Sequence, residues 1–142
     1  MKKENYIDVT QAAGKAFYLR QIQGNVVMLN LLKFNAIADY TQLKELAPAN
    51  EISGRAAYQL YMNHTLPFLK EAGGEVIFFG KGGPFLIGPE AEIWDAVLLV
   101  RHESTAKFMA FATNPGYLEG VGHRTAALED ARLLPIEEKS FL

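Results

Sequence analysis

The sequence predicts an α+β fold: a four-stranded antiparallel sheet carrying helices on one side, with an extra helix before it. Three observations lead there. Apolar stretches of period two and of period near 3.6 follow one another in the order strand, helix, strand pair, helix, strand. The strands are apolar on both faces, so one face is expected against helices and the other against something else. The chain has 142 residues, 49% hydrophobic and 21% charged, which is ordinary for one globular domain.

Thr10 is placed to cap a first helix through Ala12, Ala13, Ala16, Phe17 and Leu19, with Gly24 just past its end. Residues 1–24 therefore read as a helical extension, and residues 25–137 as the core of a single domain spanning 1–142. Val26–Phe34 (VVMLNLLKF) is the first strand. One face carries Val27, Leu29 and Leu31, and the other Val26, Met28, Asn30, Leu32 and Phe34. The second set is expected to be the one left uncovered. Residues 35–52 read as loop with a helical turn around Tyr40–Leu46.

Ser53 caps a long helix that Gly73-Gly74 stops, with Ala57, Leu60, Tyr61, His64 and Phe68 as its inner stripe. Pro67 removes one bond to the carbonyl of Asn63 and should kink it. Glu75–Gly80 is the second strand, Phe85–Ile87 a short extended piece, and Ile93–His102 the third strand. Ser104 caps a helix with Phe108, Met109 and Ala112 inward. Pro115 opens another to about Glu129, and Arg132–Ile136 closes the sheet.

This order, β-α-β-β-α-β, is the ferredoxin-like pattern. Left in water, the second face would exceed the apolar patch that monomers usually show. Two copies packed sheet to sheet, a dimeric α+β barrel, would cover it; the N-terminal helix is the rival cover. The motifs MLNLLKF (Met28–Phe34), Gly73-Gly74, WDAVLLVRH (Trp94–His102) and HRTAALED (His123–Asp130) closely resemble domain-of-unknown-function family 1330, from about Val26 to Pro135. The resemblance extends to a longer subgroup with an N-terminal helix. It implies the same dimeric barrel and no particular activity. Ala131 stands where relatives are expected to carry serine.

Several functions are set aside by residue type. The absence of cysteine excludes disulfides, thiolate nucleophiles and cysteine-held metal clusters. A formal net charge of −2 with interspersed signs offers no nucleic-acid surface. The polar start Met1–Asp8 lacks the apolar stretch of a secretory signal, and no apolar run spans a bilayer, so the expected compartment is the cytoplasm with no membrane partner. Asn63-His64-Thr65 then has no meaning as a glycosylation site. Gly80-Lys81-Gly82 fails as a phosphate loop because its spacing from Gly74 is one residue too long and no hydroxyl follows the lysine. Serine triads lack a nucleophile, the histidines lack metal-ligand spacing, and neither a metal nor a cofactor is expected.

The residues left for chemistry are few. Asn30 is an amide among aliphatic side chains, either bonded internally or turned to a ligand. His64 lies beside Tyr61 on the inner stripe, in reach of the carbonyl that Pro67 frees. His123 lies on the last helix with Arg124, and Asp130 two turns on could orient its imidazole. Asn30, His64 and His123 are the catalytic candidates. Tyr61, Trp94, Asp95, Arg101, His102 and Arg124 are the substrate-contacting ones. Trp94 also reads as an apolar anchor, and Asp95 and Arg101 as members of ion pairs. Two classes of function follow: a small apolar molecule bound or transformed in a barrel pocket, or a non-catalytic dimeric sensor or interaction domain. A cofactor-independent or haem-type monooxygenase enters by analogy of fold alone.

Overall fold

The computed structural model describes residues 4–141. Met1–Lys3, part of the polar start, and Leu142 lie outside the described residues. The order is α1 (Gln11–Leu19), β1 (Val26–Phe34), α2 (Gly54–Glu71), β2 (Glu75–Lys81), β3 (Ala96–His102), α3 (Thr105–Ala112), α4 (Pro115–Leu118), α5 (Val121–Ala127) and β4 (Leu128–Glu137). The sheet is antiparallel with strand order β2-β3-β1-β4, as the ferredoxin-like pattern requires.

Side-chain hydroxyls start three of the helices where the sequence places them. Thr10 accepts from the Ala13 amide, Ser53 from Ala56 and Ser104 from Lys107. Each satisfies one of the amides a helix start leaves unbonded. α2 runs on past Pro67, and its buried stripe is Gly54, Ala57, Tyr58, Tyr61, Thr65 and Leu69. Leu60, expected inside, is exposed. In α3 it is Phe111 that is buried, while Met109 faces out. Both corrections are a rotation of about one residue in a periodic stripe, which apolar spacing alone does not pin when neighbours on either side are also apolar.

The faces of β1 are the reverse of the expectation. Val26, Met28 and Leu32, with Phe34 beside them, pack under the helices with Ala57, Tyr58, Tyr61 and Leu69. On β3 their register partners Ala96, Val100 and His102 are buried with them, as is Leu98 opposite Asn30. Val27, Leu29 and Leu31 therefore form the other face with Val97, Leu99 and Arg101 of β3, Leu134 and Ile136 of β4, and Phe78 of β2. Both faces of β1 are apolar, so the alternation by itself could not say which one the helices choose. α1 does not cover the open face. Its Phe17 meets Phe108 of α3 edge-on at 5.9 Å, on the helix side.

The last helix is shorter than the sequence suggests. α4 stops at Leu118, Gly120 caps α5 without a side-chain bond, and β4 already begins at Leu128. Glycine is needed at 120 because a Cβ there would stand 2.2 Å from the His64 ring. β3 begins at Ala96 rather than Ile93, and residues 85–87 form no strand; only a Pro84–Ile93 bridge remains. Residues 40–47 make successive turns rather than a helix, with Leu43 and Leu46 resting on Gly122 of α5.

Both borders of the sheet are modified. β2 carries a register shift between Val76 and Phe78. On β4 the Ala131 amide points outward and donates to the Tyr6 carbonyl. By the alternation of a strand, Pro135 four residues on also faces outward, where its missing amide costs no ladder bond.

Candidate functional site

Asn30 lies on the helix-covered face, and its amide nitrogen donates to the carbonyls of Met28 (3.3 Å) and Leu98 (3.2 Å). The first bond stays within β1 and the second ties β1 to β3, so the amide is used within the sheet. Trp94 donates its indole N–H to Glu92 and is buried under the Arg132 guanidinium, 5.0 Å above its ring. Arg132 is the register partner of Leu31, on the open face. The sheet backbone therefore stands between Asn30 and the Trp94–Arg132 contact, and the two do not share a cavity.

Asp95 and Arg101 sit at opposite ends of β3. Among the described residues Asp95 makes no ion pair of the kind expected: its carboxylate accepts from the Phe34 amide at 2.8 Å, at the point where β1 loses register with β4. Arg101 does pair, with Glu138 at 2.8 Å and Glu75 at 3.0 Å. Both bonds are solvent-facing and rim the open face.

His102 is 2% exposed, packed edge-on against Phe108 at 5.0 Å and tilted against Phe111 at 5.6 Å. Its Nδ1 has no hydrogen-bond partner. Burial lowers its pKa to about 4, because an imidazolium there would lose its hydration with nothing in return. In the unfolded chain the same group takes its proton near pH 6.5. The unfolded state thus binds the proton first, and stability falls as pH drops from 6.5 towards 4. We expect this group to remove on the order of 3 kcal/mol over that window. The midpoint of urea unfolding at pH 7 and pH 4.5 checks it, and His102→Phe should flatten the difference.

His64 and His123 lie on α2 and α5, which pack together. The His64 Nε2 is 2.8 Å from the Gly116 carbonyl, not from that of Asn63. A carbonyl only accepts, so Nε2 carries a hydrogen and donates it. His123 Nδ1 is 2.7 Å from the Tyr40 hydroxyl. Partial burial, then the charge of nearby His64, lower the His123 pKa, and burial raises that of Tyr40. Asp130 does not orient His123, because α5 has ended before it. Its carboxylate instead accepts from the amides of Tyr6 and Ala131 and from Arg132. Burial alone would raise the pKa of Asp130, but those donors outweigh it and hold it low.

Arg124 donates to the Ile7 carbonyl at 2.8 Å and anchors the N-terminal segment. Tyr61 shares a 2.8 Å bond with the Tyr117 hydroxyl and packs against the rings of Tyr58 and Tyr117, the latter tilted in turn against Phe111. Tyr58 and Tyr117 are held far above the usual phenol range, chiefly by burial. They are neutral core residues. The Tyr40 partner of His123 escaped the sequence reading, since 83 residues separate them and nothing in the loop's pattern marks the tyrosine. Among the described residues, no group of three or more His, Cys, Asp or Glu could hold a metal ion, and no helix is long and apolar enough to cross a membrane.

Neither a family model nor a curated protein matches the chain. Solved structures do. A dimeric ferredoxin-like protein of unknown function from Jannaschia sp. CCS1 shares the fold at TM-score 0.54, with 13% identity over 81% of this chain and 100% of that one. The RPA0582 protein of Rhodopseudomonas palustris, also of unknown function, is far more similar. In methylated form it superposes at TM-score 0.84 with 32% identity over 96% of each chain, and a second structure of it gives 0.83. With that identity across nearly the whole length, the chain belongs to the same family as RPA0582.

Proposed function

We propose that this chain is a homodimeric α+β domain of the cytoplasm, within domain-of-unknown-function family 1330, in which two copies close sheet to sheet. The observation that carries the proposal is the open face itself. Leu29, Leu31, Val97, Leu99, Phe78 and Leu134 lie on it in register, and among the described residues no helix lies over them. A stable pair commonly buries about 800 Å² per partner. At ~25 cal/mol per Å² of apolar area, such burial is large enough to offset the freedom lost on association. The Jannaschia protein of the same fold is described as dimeric, which supports the reading. Asn30, bonded within the sheet, then serves strand register rather than chemistry. Sedimentation equilibrium at micromolar concentration tests the proposal: two chains per particle are expected, and a single chain overturns it.

A second reading attaches a small molecule to the helix side, supported by the half-buried His123 ring, held at one nitrogen by Tyr40 and beside His64. A neutral imidazole with one ring nitrogen fixed is poised to give or take a proton at the other. Native mass spectrometry of freshly purified protein checks this. A bound mass under about 1 kDa, at the usual size of small-molecule pockets, is expected in the wild type and absent from His123→Ala. Wild type carrying no such mass leaves the dimeric domain standing alone.

A further inference from the structure

The β2–β3 hairpin ends in three consecutive apolar residues, Phe85-Leu86-Ile87. Leu86 is 100% exposed and Ile87 93%. The tip is nevertheless shaped. The Pro84–Ile93 bridge closes its base, the Glu92 amide donates to the Pro89 carbonyl, and the Phe85 ring folds against Gly88, where a Cβ would stand 2.8 Å from it. Phe85, itself 39% exposed, thus folds back on the loop, while Leu86 and Ile87 are held outward with no cover among the described residues. Side chains of this kind in water mark a contact surface.

The hairpin is continuous with the open face, since Phe78 on β2 and Val97 on β3 both belong to it. Its flanks carry Lys81 on one side and Glu90 and Glu92 on the other, a net negative setting that an anionic lipid surface would repel. At the opposite border of the sheet, at the same end, Tyr6 is strapped to β4 through Ala131 and Asp130. Tyr6 and Val9 there are exposed apolar side chains. A two-fold axis running along the strands between two facing sheets carries β2 of each copy over β4 of the other, top to top.

We infer that Phe85–Ile87 is a dimer arm: each copy lays Leu86 and Ile87 on the Tyr6–Val9 strap of its partner. This rests on the sheet-to-sheet pairing proposed above and adds to it a specific, reciprocal contact. It also gives the N-terminal segment a place in assembly, since the strap that Arg124 anchors becomes the receiving surface.

Two measurements test the arm separately from the dimer. In hydrogen–deuterium exchange, peptides covering 84–88 and 5–9 should both be slower in the concentrated wild type than after dilution to single chains. In sedimentation, Leu86→Ser/Ile87→Ser should leave the fold intact and the chains still able to pair but raise the dissociation constant by at least about ten-fold, the size two aliphatic contacts warrant. An unchanged dissociation constant, or protection at 84–88 without protection at 5–9, overturns the arm while the dimer stands. Wild type that is a single chain throughout removes both. Co-sedimentation with phosphatidylcholine–phosphatidylserine vesicles, lost in the double serine variant, would assign the tip to a membrane surface and overturn the arm.

Discussion

Leu99→Glu is expected to yield a folded single chain if two copies of the wild type pair through the open face as proposed. Leu99 lies at the middle of the open face, with Leu29 of β1 on one side and Phe78 of β2 on the other. In a symmetric pair the new carboxylate meets an apolar wall and its own twin close by. An unpaired buried charge costs several kcal/mol, so the dissociation constant should rise by about a thousand-fold or more. Within one chain the same position faces water, and the helix-side core that holds the fold is on the other side of the sheet. Circular dichroism should therefore be unchanged while the sedimenting mass halves. A variant that keeps the mass of two chains would show that the open face is not the interface.

The largest effect on stability is expected at Gly54, the first residue of α2. A Cβ there would lie 2.2 Å from the Asn35 carbonyl oxygen, 2.6 Å from that of Ala127 and 2.8 Å from the Asn35 amide nitrogen. All three are backbone, and none can swing aside. The Gly54 amide itself donates to Asn35 at 3.0 Å, and the Asn35 amide to Ala127 at 2.8 Å. α2, the end of β1 and the end of α5 therefore meet at one point without a side chain between them. Gly54→Ala should cost about 3 kcal/mol despite the higher helix propensity of alanine, lowering the melting temperature by roughly 10 °C. Gly14→Ala in α1, where the new methyl would meet only Val9 at 3.7 Å, is the control and should be neutral or slightly stabilising. Equal melting of the two variants would show that the junction yields.

The order of elements was legible because their ends are marked chemically. Thr10, Ser53, Ser104 and Pro115 stand where helices begin, and Gly73-Gly74 where α2 ends. What spacing could not settle was direction. β1 is apolar both ways, so its pattern announces two covered faces without saying which cover comes from the chain's own helices. The last helix misled because Gly122, His123 and Ala126 to Asp130 read equally well as helix. The extra strand turns at Leu128 are set by pairing with Phe34, a partner far away in sequence. The site was harder still. Single residues of unusual type, Asn30 and the histidines, were visible, but their partners were not. Gly116 holds His64, Tyr40 holds His123, and backbone carbonyls hold Asn30. These are contacts of tertiary packing, made by atoms that every residue owns or by a tyrosine with nothing to distinguish it.

The treatment of the two outer strands has a consequence for how large an assembly can grow. Open strand borders recruit further strands, and that is the route to fibres. Here the shift at Ile77 disturbs one border, while the Tyr6 strap and the imino nitrogen of Pro135 blunt the other. Lateral growth finds no regular ladder to extend, and in the proposed sheet-to-sheet pairing the greasy surface would be used up after a single mate. The protein can keep so much oil on its outside and still stop at a finite particle.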